Sequence, residues 1–161
     1  MREIKEKHPE RGAALVELAM VLPLLLLILM GIVEIGLLFY NQQILTNSSR
    51  EGARAAIART NYNGVVLDKN AIEDIVEEYL GLGTVHKDRR LITSGSDPVP
   101  SIDVDPEVFA IETNGYGTDL KVTVGYEHLL FFPKLLNLGT SIHLKAETIM
   151  KMERYITPPT P

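Results

Sequence analysis

Two carboxylates carry much of the chemical information in this sequence because of where they stand. Glu17 and Glu34 are the only charged residues between Ala13 and Tyr40, a stretch that is otherwise almost wholly apolar. An ionised carboxyl near the centre of a bilayer costs about 2.5–3.5 kcal/mol, and less where its side chain can reach the interface. Such a group is either paired with a cation or marks the interfacial end of a spanning helix. Gly12 stands five positions before Glu17 and closes a charged leader, so the Gly12 and Ala13 junction divides two environments. Farther on, Ser48, Gly52 and Ala56 recur at intervals of four. On a helix that interval places small residues on one face, where a neighbouring helix can approach closely; an alanine-rich solvated arm is the alternative.

The remaining chemistry-bearing residues do not assemble into a constellation. With no cysteine, disulfides, thiolate metal sites and a cysteine nucleophile are excluded. His8, His86, His128 and His143 are far apart and form neither an HExxH motif nor a helical i,i+4 pair. Asp103 and Asp105 are paired acids without a convergent third ligand in sequence, and Glu73, Asp74, Glu77 and Glu78 lack the glycine and spacing of a calcium loop. The net charge of −5 and the scattered lysines and arginines argue against a phosphate-backbone footprint. The expectation is a protein that is not an enzyme, with no cofactor, no metal, no nucleic acid and no small-molecule substrate.

The elements that hold these residues follow from composition. The chain has 161 residues, 45% hydrophobic and 23% charged, which is material for about one domain and excludes a collagen-like or wholly disordered polymer. Leu18 to Val33 is an uncharged run of roughly 24 Å as a helix, short of the hydrocarbon core of about 30 Å. Extended to Ala13 and Tyr40 it reaches roughly 42 Å and can cross a membrane. Pro23 lies two to three turns in, where lipid tolerates a local kink. The run is longer than the apolar region of a secretory signal and continues through Gly31 to Gly36 without a small-residue cleavage exit. Arg2, Lys5, Lys7 and Arg11 precede it, which favours a cytoplasmic N-terminus.

From Asn41 to Arg59 there is no proline, so one helix is expected from Ala13 to Arg59, roughly 70 Å long, ending before Asn61-Tyr62-Asn63-Gly64. Ile72, Ile75, Val76, Tyr79 and Leu80 have helical spacing, with Asn70 as the expected cap and Gly81 or Gly83 as the stop. Leu120 to Tyr126 and Ile142 to Thr148 alternate as half-buried strands, and Ser101 to Val104 and Val108 to Glu112 are further strand candidates. Leu129 to Leu136, apolar and interrupted by Pro133, either covers the sheet or is a docking patch. The expected organisation is a leader over residues 1–12, a transmembrane and extended helix over 13–60, an extracytoplasmic domain with a helix and an antiparallel sheet over 61–156, and a loose tail over 157–161. The fold class is α+β.

One family shares these blocks. Arg11-Gly12, Val16-Glu17-Leu18-Ala19, Leu22-Pro23-Leu24, Gly31-Ile32-Val33-Glu34-Ile35-Gly36 and Ser49-Arg50-Glu51-Gly52-Ala53-Arg54 resemble the TadE/TadF-like pseudopilins of tight-adherence (Flp) type IV pilus systems. The resemblance covers roughly the first 60 residues, and more faintly Val122 to Tyr126, Phe132-Pro133 and Ala146 to Glu153. Leu18 stands where such proteins often have Phe. The resemblance implies cleavage by a prepilin peptidase between Gly12 and Ala13, and Glu17 as residue five of the processed chain. The new ammonium group of a neighbouring subunit is then a suitable counter-ion for Glu17. It also implies pilins or pseudopilins and tight-adherence secretion machinery as partners, an inner-membrane location, and a head outside the cytoplasm. The alternative is an unprocessed single-pass tether whose head is a binding module.

Overall fold

The structure of the protein is a computed structural model; residues 10–60, 69–83, 90–91, 99–105, 119–131, 139 and 141–151 are described below. The leader before Glu10, the Val108 to Glu112 strand candidate, the turn at Asn114 to Gly117, most of the apolar connection after Phe131 and the proline-rich tail lie outside the described residues. The elements in chain order are helix α1 (Glu10–Thr60), helix α2 (Lys69–Leu80) and strands β1 (Ser101–Asp105), β2 (Asp119–Leu129) and β3 (Ser141–Lys151). This is an α+β fold with one candidate membrane span, as the sequence leads one to expect. The chain divides into two compact units, Met1–Gly36 and Leu37–Pro161.

In the first unit, α1 is built from Leu, Ile, Met, Val and Ala, residues that lose little freedom in a helix apart from the β-branched ones. It continues through Pro23, which lacks a backbone N–H. Its large side chains from Leu15 to Leu29 are exposed on every side. A helix that is apolar all round is stable only where its surroundings are apolar too. Among the described residues, α1 is the helix long and apolar enough to cross a membrane.

The second unit is organised around a three-stranded antiparallel sheet in the order β1-β2-β3. In the central strand, Leu120, Val122, Val124, Tyr126 and His128 share one face and are buried. Register places Ile102 and Ala146 on either side of Val124, and Val104 and Thr148 on either side of Val122. α2 adds Ile72, Val76 and Leu80, at i, i+4 and i+8 on a single face. Full burial of each such side chain contributes about 1.5–3 kcal/mol. The core is closed by Leu45, Ala53 and Ala56 from the C-terminal part of α1.

α2 begins at Lys69, one residue ahead of the expected cap, so Asn70 is already helical and Glu73 faces Lys69 across one turn at 3.9 Å. Its end is fixed by Gly81, whose φ of 75° suits a residue without Cβ. There the Leu82 N–H donates to Glu77 O and the Gly81 N–H to Glu78 O, at 2.9 and 3.1 Å, which satisfies two terminal carbonyls.

The other face of the sheet is largely polar, with Ile149 as an exposed apolar side chain on it. Lys121 lies 3.1 Å from Glu147, which also meets Lys145 at 3.5 Å, and these cations hold the Glu147 carboxyl below its ordinary pKa, Lys121 most strongly through its hydrogen bond. Gly125 allows a close approach on this face. A Cβ there would stand 2.5 Å from Ser101 Oγ and 3.3 Å from the His143 ring.

Candidate functional site

The sequence-derived site residues all fall on α1, in two different settings. In the first unit, Gly12 and Ala13 lie within the helix, which starts at Glu10, and both are exposed. Nothing approaches within 4 Å of the position a Gly12 Cβ would take. Glu17 is exposed among Leu15, Val16 and Leu18. A carboxylate presented on an apolar helical surface is available to a cation from outside the chain. Glu34 differs, being buried to 7% relative exposure.

In the second unit, α1 has a buried face formed by residues 41, 45, 48, 52 and 56, with Ser49 and Ala53 beside them. Ser48, Gly52 and Ala56 are thus brought onto one face, and that face is covered by this chain's own α2 and β2. A Cβ at Gly52 would stand 2.6 Å from Val76 Cγ2, 3.5 Å from Ile72 Cγ2 and 3.6 Å from Val122 Cγ1. The helix that comes closest to the small-residue row is therefore α2.

Burying hydroxyls on this face is cheap because α1 itself satisfies them. Ser48 Oγ donates to Leu45 O at 2.9 Å and Ser49 Oγ to Thr46 O at 3.0 Å. With the Ser49 proton so used, Thr148 Oγ1 of β3 is the donor in the 2.7 Å contact with Ser49 Oγ. Gln42 Nε2 donates to Lys145 O at 2.9 Å, giving a second polar tie to β3.

The third tie was not legible as a site. Asn41 Nδ2 lies 2.9 Å from His128 Nδ1, and both residues are fully buried. An amide nitrogen can only donate, so Nδ1 accepts and the ring proton is left to Nε2. The available signal was spacing: Asn41 stands seven residues before Ser48, on the same helical face, and His128 continues the even-numbered core positions of β2.

Beyond the buried face, Arg54 clasps Glu51 through two parallel hydrogen bonds of 2.7 and 3.0 Å. The hydrogen bond from Arg54 holds the Glu51 carboxyl below its ordinary pKa and raises that of the guanidinium in turn. Asp103 and Asp105 are exposed on β1, opposite Thr123 and Lys121.

The family model described as TadE-like protein matches residues 12–54, the apolar stretch and most of the buried face of α1, and none of the sheet. The match falls on the segment that carries most of the sequence resemblance. No curated protein and no solved structure matches the chain.

Proposed function

From a chain that is TadE-like over residues 12–54, we propose a minor pilin or pseudopilin-like structural component in the biogenesis of a tight-adherence (Flp) type IV pilus. The observation that carries this reading is Glu17, a single exposed carboxylate on an apolar helix, five residues after Gly12 and inside the matched segment. A prepilin peptidase cleaves between Gly12 and Ala13, and the helix is held in the inner membrane with the leader on the cytoplasmic side and the head outside. The Ala13 ammonium of one subunit then meets Glu17 of the next. In hydrocarbon such a pair is held tightly, because separating it leaves an uncompensated charge. It sets the register of helices packed side by side. Glu34 is a second intramembrane charge at the far end of the apolar stretch, and Ser48, Gly52 and Ala56 serve helix packing.

Two measurements test this. The intact mass of the protein from the membrane fraction is expected to lack Met1 to Gly12. An unshortened chain would favour the tethered binding module instead. Glu17→Gln is expected to leave the protein in the membrane and abolish its incorporation with pilus components; unchanged assembly would overturn the role given to Glu17.

A further inference from the structure

Among the described residues of the second unit, six large apolar side chains are exposed: Phe39, Tyr40, Val99, Phe131, Ile142 and Ile149. Four of them gather at one end. Asn41 is hydrogen-bonded to His128, Ser49 to Thr148 opposite Val122, and Gly52 packs on Val122, so α1 and β2 run in opposite directions. The sheet end at Leu129 and Ser141 is therefore the end at which the apolar stretch of α1 stops. Phe39 and Tyr40 immediately precede Asn41; Ile142 is the register partner of His128; and Phe131 follows β2 by two residues.

Their exposure is uneven with their position. Ile142 shares a face with Ala146, yet it is 39% exposed where Ala146 is 5% exposed. Phe39 is 71% exposed and Phe131 39%. In water these surfaces are unfavourable, whereas at the boundary of headgroups and acyl chains aromatic and aliphatic side chains are stabilised. Tyr40, apolar along its ring and polar at its tip, fits that boundary.

We propose that this end of the head is a second lipid contact, with Phe39, Tyr40, Phe131 and Ile142 inserted at the surface of the bilayer that α1 crosses. The inference rests on the membrane-spanning reading of α1. The occupant is lipid because the patch continues directly from the apolar stretch that ends at Tyr40. The charged group described at this end is Glu127, which accepts from Ser141 Oγ at 2.6 Å. The four side chains put forward carry no charge, so the contact proposed is an apolar one.

The chain contains no tryptophan, so single-tryptophan variants of the full-length protein report one position each. Leu25→Trp, Phe131→Trp and Ile149→Trp would be reconstituted in phosphatidylcholine vesicles carrying lipid brominated high in the acyl chain. Ile149 lies on the opposite face of β3, roughly 23 Å along the strand from Ile142. Leu25→Trp and Phe131→Trp are each expected to lose about half of their emission, and Ile149→Trp to keep its own. Quenching of Leu25→Trp alone overturns the second contact and leaves the span standing. Loss of quenching at Leu25→Trp as well overturns both. A blue-shifted but unquenched Phe131→Trp means that a second copy of the chain covers the patch, which also overturns the proposal.

Discussion

Gly31 and Gly52 sit in the same helix, but a Cβ added to Gly31 meets nothing within 4 Å, while one added to Gly52 runs into Val76 at 2.6 Å. The two glycines summarise two regimes of α1. From Leu15 to Leu29 its large apolar side chains point outward all round, and helix stability there depends on the surrounding medium. From Asn41 to Ala56 one face is buried against the chain's own core, and stability depends on fit. Hydrophobicity and burial are thus inverted: the most apolar stretch is the exposed one, and the buried face includes Asn, Ser and Gly.

If the contrast holds, matched substitutions in the two stretches will diverge. Leu45→Ala, at a fully buried position, is expected to lower head stability by about 2–5 kcal/mol in detergent-solubilised protein, measured by thermal unfolding. Leu25→Ala is expected to leave that transition in place. Equal effects would erase the distinction. Gly52→Val is next, at about 1–3 kcal/mol, because Val76 and Val122 would have to shift, with Gly31→Val as the silent counterpart.

The polar tie is weaker. Asn41→Ala should cost about 1 kcal/mol, and a double-mutant cycle with His128→Ala should return a coupling of that order. A vanishing coupling would show the buried pair to be two independent residues. The smallest effect belongs to Glu51 and Arg54 on the exposed side. Because Glu51 has a lowered pKa in the folded protein, its contribution is fully present above the ordinary carboxylate range and is lost as pH falls through that lowered value. Acid titration of the melting midpoint should therefore show a slightly smaller loss in Glu51→Gln than in the parent, and high salt should diminish the difference.

Much of this was legible because period reports environment. The apolar stretch, α2 and the alternation of β2 and β3 all follow from spacing alone. The run of apolar core positions ends at Tyr126 because His128 is polar, which hides the last residues of β2; the strand runs on to Leu129 with His128 in a core position bonded to Asn41. The ties from Gln42 to Lys145 and from Ser49 to Thr148 join residues about a hundred positions apart, beyond the reach of any local pattern. Spacing also put Ser48, Gly52 and Ala56 on one face, but a row of small residues looks the same whether the helix laid upon it belongs to a partner or, as with α2, to the same chain.

The bond from Gln42 to the Lys145 carbonyl also bears on what happens when many such heads share a crowded surface. β3 is eleven residues long and pairs with β2 on one side only among the described residues, the kind of edge that recruits foreign strands into fibrils. An amide already engaged with one of its carbonyls, and lysines at 145 and 151, make that edge a poor template. Copies of the chain brought close together would then not join through this edge.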